Sequence, residues 1–153
     1  MLLLTFRVAD DLYAVAADRV VEVVPRIELR PIPHAPTYLA GLFNYRGKAI
    51  PVVDLGVLLG STPCLERLHT RIILADEPGT GRNRRVGLIA ENVSDVMTVH
   101  PDQVALPVMN LEEAPYLGTV VRTDAGLIQI LSVEKILPKS LRDAIFGVPT
   151  EAP

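Results

Sequence analysis

Three histidines, one cysteine, a G-T-G turn and scattered carboxylates are the side chains from which this sequence would first build a reactive site. His34, His69 and His100 lie more than 30 residues apart. Metal sites favour close pairs such as H-x-x-x-H or C-x-x-C, and neither spacing occurs, so the histidines read as solvent-facing loop residues. Cys64 follows Ser61-Thr62-Pro63. A catalytic thiol needs a base and an electropositive setting, and His69 alone is thin support, so Cys64 reads as an ordinary thiol. Gly79-Thr80-Gly81 lacks both the third glycine and the G-K-[ST] ending of a phosphate loop. The arginines that follow it, Arg82, Arg84 and Arg85, read as a solvated loop. There is no G-x-S-x-G elbow and no carboxylate couple at acid–base spacing. The expectation is a protein with no catalytic residues, no metal and no cofactor.

The elements that would have to position any site are short and extended. Of the 153 residues, 49% are apolar and 22% charged, enough to bury one core or two small ones and too ordered a composition for a disordered chain. Fifteen basic against 18 acidic residues give a net charge of −3, the wrong balance for a general nucleic-acid binder. A lone cysteine cannot form an internal disulfide, which fits a reducing compartment. Crossing a bilayer takes roughly 18 or more consecutive apolar residues, and no such run exists. The opening MLLLTF carries no basic region before it, unlike a signal peptide. A cytoplasmic protein without direct membrane insertion is expected.

Thirteen prolines leave little room for a long helix, because an interior proline removes a hydrogen bond and clashes with the preceding turn. The β-branched runs between them predict strands at 2–8, 12–17, 19–24, 27–32, 42–45 and 49–53, then at 71–75, 86–90, 93–99, 103–106, 116–122 and 127–131. Asp10 and Asp11 predict the first hairpin turn, and Arg46-Gly47-Lys48 another. Asp54 can cap one turn of helix that Gly60 ends. Ser132 can cap VEKIL, and Ser140 with Asp143 forms an S-x-x-D box over LRDAIF, stopped by Gly147. These runs fall into two groups, residues 1–60 and 61–131, with strand exchange between them allowed. Terminal helices at 132–147 and a frayed tail at 148–153 follow.

The stretch from Ala35 to Gly60, APTYLAGLFNYRGKAIPVVDLGVLLG, is more specific than an ordinary strand-turn-strand. Ala35, Pro36, Gly41, Asn44, Arg46, Gly47, Pro51, Asp54 and Leu55 fall in register with the pattern A-P-x-h-h-x-G-h-x-N-h-R-G-x-h-h-P-h-h-D-L, where h is apolar. This closely resembles the signature of the CheW family, the coupling proteins of bacterial chemosensory arrays. V-x-E-V at Val20 to Val23, V-S-D-V at Val93 to Val96 and I-x-I-L-x-V-E-K-I-L at Ile128 to Leu137 are similar to the family too, so the resemblance runs from about Leu4 to Leu137. E-V-V-P and F-N-Y-R-G are also similar to coupling proteins of alternative pathways, such as a Wsp-type surface-sensing system. Two departures stand out: Gly56 occupies a position where the family often has Arg or Lys, and Gln129 places an amide in the last strand.

The resemblance implies an all-β fold of two SH3-like five-stranded barrels with a short C-terminal helix. It implies a non-enzymatic adaptor, peripherally associated with membrane receptor arrays. Its partners would be the cytoplasmic tip of a methyl-accepting chemoreceptor and the regulatory domain of a CheA-type histidine kinase. Val20, Glu22 and Arg46 match the family's receptor-binding positions, and Gly41, Leu42 and Phe43 its kinase-binding region. Glu22 inside an apolar strand and Arg46 at a turn could also pair bidentately. For Gly41 the competing reading is steric, a glycine that fits a tight strand entry. The alternative class is a small-barrel nucleic-acid-binding or translation-type module, which would need a basic stripe interleaved with aromatics.

Overall fold

Valine- and isoleucine-rich runs punctuated by proline and glycine fold as eleven short strands in the computed structural model, which describes residues 1–60, 62–64, 68–76, 84–108 and 110–146. The strands are β1 (Leu2–Val8), β2 (Asp11–Ala16), β3 (Val20–Pro25), β4 (Leu39–Tyr45), β5 (Lys48–Asp54) and β6 (Thr70–Asp76). They continue as β7 (Arg85–Glu91), β8 (Val96–Thr98), β9 (Val104–Leu106), β10 (Leu117–Thr123) and β11 (Gly126–Leu131). Among the described residues, helix is confined to α1 (Leu55–Leu58), α2 (Lys139–Phe146) and three 3-10 turns. The G-T-G turn, Arg82, the Gly147 stop and the tail 148–153 lie outside the described residues.

Within the one sheet, the pairing can be followed as two groups of neighbouring strands. One group is the middle of the sequence, paired in the order β3-β6-β7-β5-β4. The other joins the two ends, in the order β8-β1-β2-β11-β10-β9. The two ends of the sequence thus share one group. The β1–β2 hairpin belongs with the C-terminal strands and touches the middle group through Arg7 opposite Glu91. The pairing runs as one continuous path from β3 to β9, so neither group closes into a complete barrel.

Period-two alternation explains how one hairpin serves two cores, since successive side chains point to opposite faces. Leu4, Phe6 and Val8 enter the larger core with Val52, Ile72, Leu88 and Ile89, whereas Leu3 and Ala14 enter a smaller one with Val99, Val121 and Ile128. With both faces covered, Leu3 to Phe6 has to be a nearly unbroken apolar run. Each such fully buried side chain contributes about 1.5–3 kcal/mol of transfer free energy.

Four expected features differ. Ile27 to Ile32 is not a strand. It makes a single bridge, Arg30 opposite Leu42, with N–H to O distances of 2.9 and 2.8 Å. Pro31 and Pro33 flank that bridge without amide donors, so a ladder cannot extend. Ser132 does not cap a helix: VEK forms a 3-10 turn, and the Ser132 hydroxyl donates to Glu134 Oε1 at 2.6 Å. Ser140 lies inside α2 rather than ahead of it, and the Arg142 amide donates to the carbonyl of Pro138 at 2.9 Å. The first hairpin turns on Ala9 and Asp10, both at positive φ, so Asp11 already opens β2.

Asp54 caps α1 as its sequence position requires. Its buried carboxylate accepts from the amides of Gly56 at 2.9 Å and Cys64 at 3.0 Å, tying the helix start to the following loop. That clasp explains the glycine at 56. A β-carbon there would collide with the carbonyl oxygen of Thr62 and come within 2.9 Å of the Cys64 nitrogen.

Candidate functional site

Among the described residues β3 pairs only with β6, and its other edge is left without a strand neighbour. Its register slips between Val20 and Glu22, a bulge of the kind that re-aims side chains. Val21 and Val23 are 37% and 38% exposed, and Glu22 is exposed between them. Val20 is half-buried and packs on the larger core. An exposed edge bearing valines and one carboxylate is a surface that a partner could cover.

The Arg46-Gly47 turn lies beside this edge. Both residues take positive φ, 52° and 82°, the geometry of a two-residue hairpin turn whose twist matches its strands. Asn44 Oδ1 accepts the Gly47 amide at 3.2 Å, which stabilises a conformation unfavourable for arginine. The ion pair expected between Glu22 and Arg46 does not form. Instead Tyr45 stands between them: its hydroxyl donates to Glu22 Oε2 at 2.5 Å, and the Arg46 guanidinium lies 5.1 Å from its ring centroid. Arg85 lies 5.9 Å from the same ring and donates from Nε to Asp76 Oδ1 at 3.0 Å. The hydrogen bond to Glu22 holds the Tyr45 phenol above its ordinary value of 10.0, while the charges of Arg46 and Arg85 pull it the other way. Tyr45 and Arg85 were not singled out by motif. The signal for Tyr45 was an aromatic one residue before a turn arginine, where a cation–π contact is within reach.

The three residues of the second region differ in accessibility. Gly41 is buried at a slip in the β4–β5 register, with φ of 154°, and a β-carbon on it would come within 2.6 Å of the Arg30 carbonyl oxygen. Phe43 is buried as well, its ring tilted against Tyr45 at 5.7 Å. Leu42 is half-buried and carries the bridge to Arg30. Any contact made here would involve Leu42 and the Arg30 segment directly, with Gly41 and Phe43 shaping the strand beneath them.

Arg84 and Arg85 are not the solvated loop charges their spacing suggested. Arg84 is 7% exposed and stacks on Phe146 of α2 at 5.3 Å, and Arg85 is engaged by Asp76 and Tyr45. The described part of the basic run thus turns inward instead of presenting a stripe. The three histidines are exposed, as expected. Gln129, the amide in the last strand, donates to the carbonyls of Gly118 at 2.9 Å and Ile130 at 3.0 Å, filling the gap that a bulge opens between β10 and β11. On the other strand group, Met1, Val99, Val104, Val121 and Ile130 help line a mostly apolar hollow of about 260 Å³.

Comparison with known proteins converges on one family. A family model described as "CheW-like domain" matches residues 2–140. A chemotaxis protein CheW of Rhizobium meliloti (strain 1021) is 30% identical over 145 residues, covering 93% of this chain and 90% of that protein. Protein FrzA of Myxococcus xanthus is 25% identical, covering 92% and 87%. Among solved structures, the scaffolding protein TtCheW from Thermoanaerobacter tengcongensis superimposes with a TM-score of 0.76 at 27% identity, over 90% of this chain and 87% of that one.

Proposed function

The chain belongs to the CheW-like domain family, and we propose that it is a non-enzymatic scaffold of a bacterial chemosensory array. In this reading it couples the cytoplasmic tip of a chemoreceptor to the regulatory domain of a CheA-type histidine kinase. The observation that carries it is the agreement in fold and sequence, over nearly the whole chain, with a protein described as a scaffold.

The geometry supports a binding role. The free β3 edge with Val20 and Glu22, flanked by Arg46, is assigned to the receptor; the β4 entry around Leu42, shaped by Gly41 and Phe43, is assigned to the kinase domain. No helix among the described residues is long and apolar enough to cross a membrane. Association with the membrane array would then run through the receptor.

Titration of the protein against a receptor-tip helical hairpin, a purified kinase regulatory domain and single-stranded RNA tests the assignment. Saturable binding to the first two, with none to RNA, is expected. Arg46→Glu should weaken the receptor tip at least tenfold and spare the kinase domain. Saturation by RNA alone would overturn the reading in favour of a nucleic-acid module.

A further inference from the structure

We infer that Tyr45 is a positioning residue of the surface assigned above to the receptor: its hydroxyl fixes the Glu22 carboxylate while its ring carries the Arg46 guanidinium. The inference rests on that assignment. Glu22 and Arg46 are exposed, long and rotamer-rich, and holding each in one geometry costs side-chain entropy. Tyrosine does so at low cost, because only two torsions need to be fixed. The Tyr45 ring is held in its turn, with Phe43 at 5.7 Å on β4 and Arg85 at 5.9 Å on β7. Arg85 is anchored by Asp76 on β6 at 3.0 Å.

Contacts therefore run from β6 through β7 and β4 to the β3 edge, and they end on two charges of opposite sign. Exposed pairs of this kind add little to stability, so the function of the arrangement is to set where the charges stand. A partner would meet a carboxylate and a guanidinium at a spacing set by one aromatic side chain. Without the hydroxyl, Glu22 is free to swing to Arg46 or into water, and that spacing is lost.

The test uses Tyr45→Phe, which keeps the ring and removes the hydrogen bond, with Glu22→Gln and the double variant. In the free protein, the assigned Tyr45 ring signals should titrate at lower pH in Glu22→Gln than in wild type. Against the receptor tip, Tyr45→Phe should lose about fivefold to tenfold in affinity with an unchanged melting temperature. Glu22→Gln should lose less in the Tyr45→Phe background than in wild type, because the hydrogen bond couples the two residues. An unmoved Tyr45 titration overturns the latch itself. Wild-type receptor affinity in Tyr45→Phe, with Arg46→Glu still disruptive, overturns the positioning role and leaves the receptor assignment standing. If neither variant affects receptor binding, the surface is not the receptor's and the inference falls with it.

Discussion

The Tyr45 hydroxyl donates to Glu22 Oε2 across the gap between β4 and β3 at 2.5 Å, although 23 residues separate the two in sequence. β3 pairs with β6 and β4 with β5, so no ladder hydrogen bond joins the strands that carry these residues. A side-chain contact therefore fixes the edge against the Arg46 turn. It also explains why an aromatic follows Asn44: a residue there without a hydroxyl could shield the edge but not hold the carboxylate.

Gly41 is expected to be a folding requirement before it is anything else. Its β-carbon would stand 2.6 Å from the Arg30 carbonyl oxygen, which is itself hydrogen-bonded to the Leu42 amide, so neither side can yield cheaply. Gly41→Ala should cost about 2–3 kcal/mol in urea denaturation, and Gly41→Asp more, because it also buries a charge. A melting temperature near wild type in Gly41→Asp would contradict this packing.

Glu134 should give the acid limb of the stability curve a local component. Burial acts to raise its carboxyl pKa, but the Ser132 hydroxyl, a backbone hydrogen bond and the charges of Arg19 and Lys135 together hold it below the ordinary 4.5. A depressed folded-state value means that the unfolded chain binds more protons between the two values. The stabilisation is complete above the ordinary carboxylate value and is lost as pH falls through the folded one. Ser132→Ala should therefore destabilise at neutral pH by a fraction of a kcal/mol, since the group is largely solvated, and match wild type once the pH lies below the folded-state value. Carboxyl chemical shifts of Glu134 should titrate at higher pH in the variant; an unchanged titration would remove Ser132 as a cause.

Much of the strand plan was legible because it rests on local chemistry. Alternating or unbroken apolar runs, the Arg46-Gly47 turn and the Asp54 cap each depend on residues within a few positions of one another. The association of β1 and β2 with β10 and β11 was not legible, since Leu3 and Ala14 look like any strand apolars until Val121 and Ile128 are folded against them. Ile27 to Ile32 misled for the opposite reason: its alternation is strand-like, but its prolines deny it a ladder. The pair expected between Glu22 and Arg46 is replaced by separate contacts of each with Tyr45. Their intermediary was missed because a tyrosine in a strand usually signals core packing, and its hydroxyl partner lies on another strand.

The arginine run before β7 leads to the last prediction. Arg84 looks like a loop cation, but it is buried and its guanidinium lies 5.3 Å from the Phe146 ring centroid near the end of α2. Leu141 and Ile145 pack from the same helix onto the larger core. An eight-residue helix is too short to persist in water by itself, so this docking must maintain it. A buried cation–π contact is worth about 2 kcal/mol, and losing the Phe146 ring also loses apolar burial. Phe146→Ala should therefore accelerate amide exchange across 139–146 by at least tenfold, while β6 and β7 amides, in the centre of the larger core, stay protected. Arg84→Met, which keeps a flexible apolar side chain against the ring, should lose less than Phe146→Ala. Uniform acceleration across the whole chain in Phe146→Ala would show that α2 is part of the global folding unit instead of a separately docked piece.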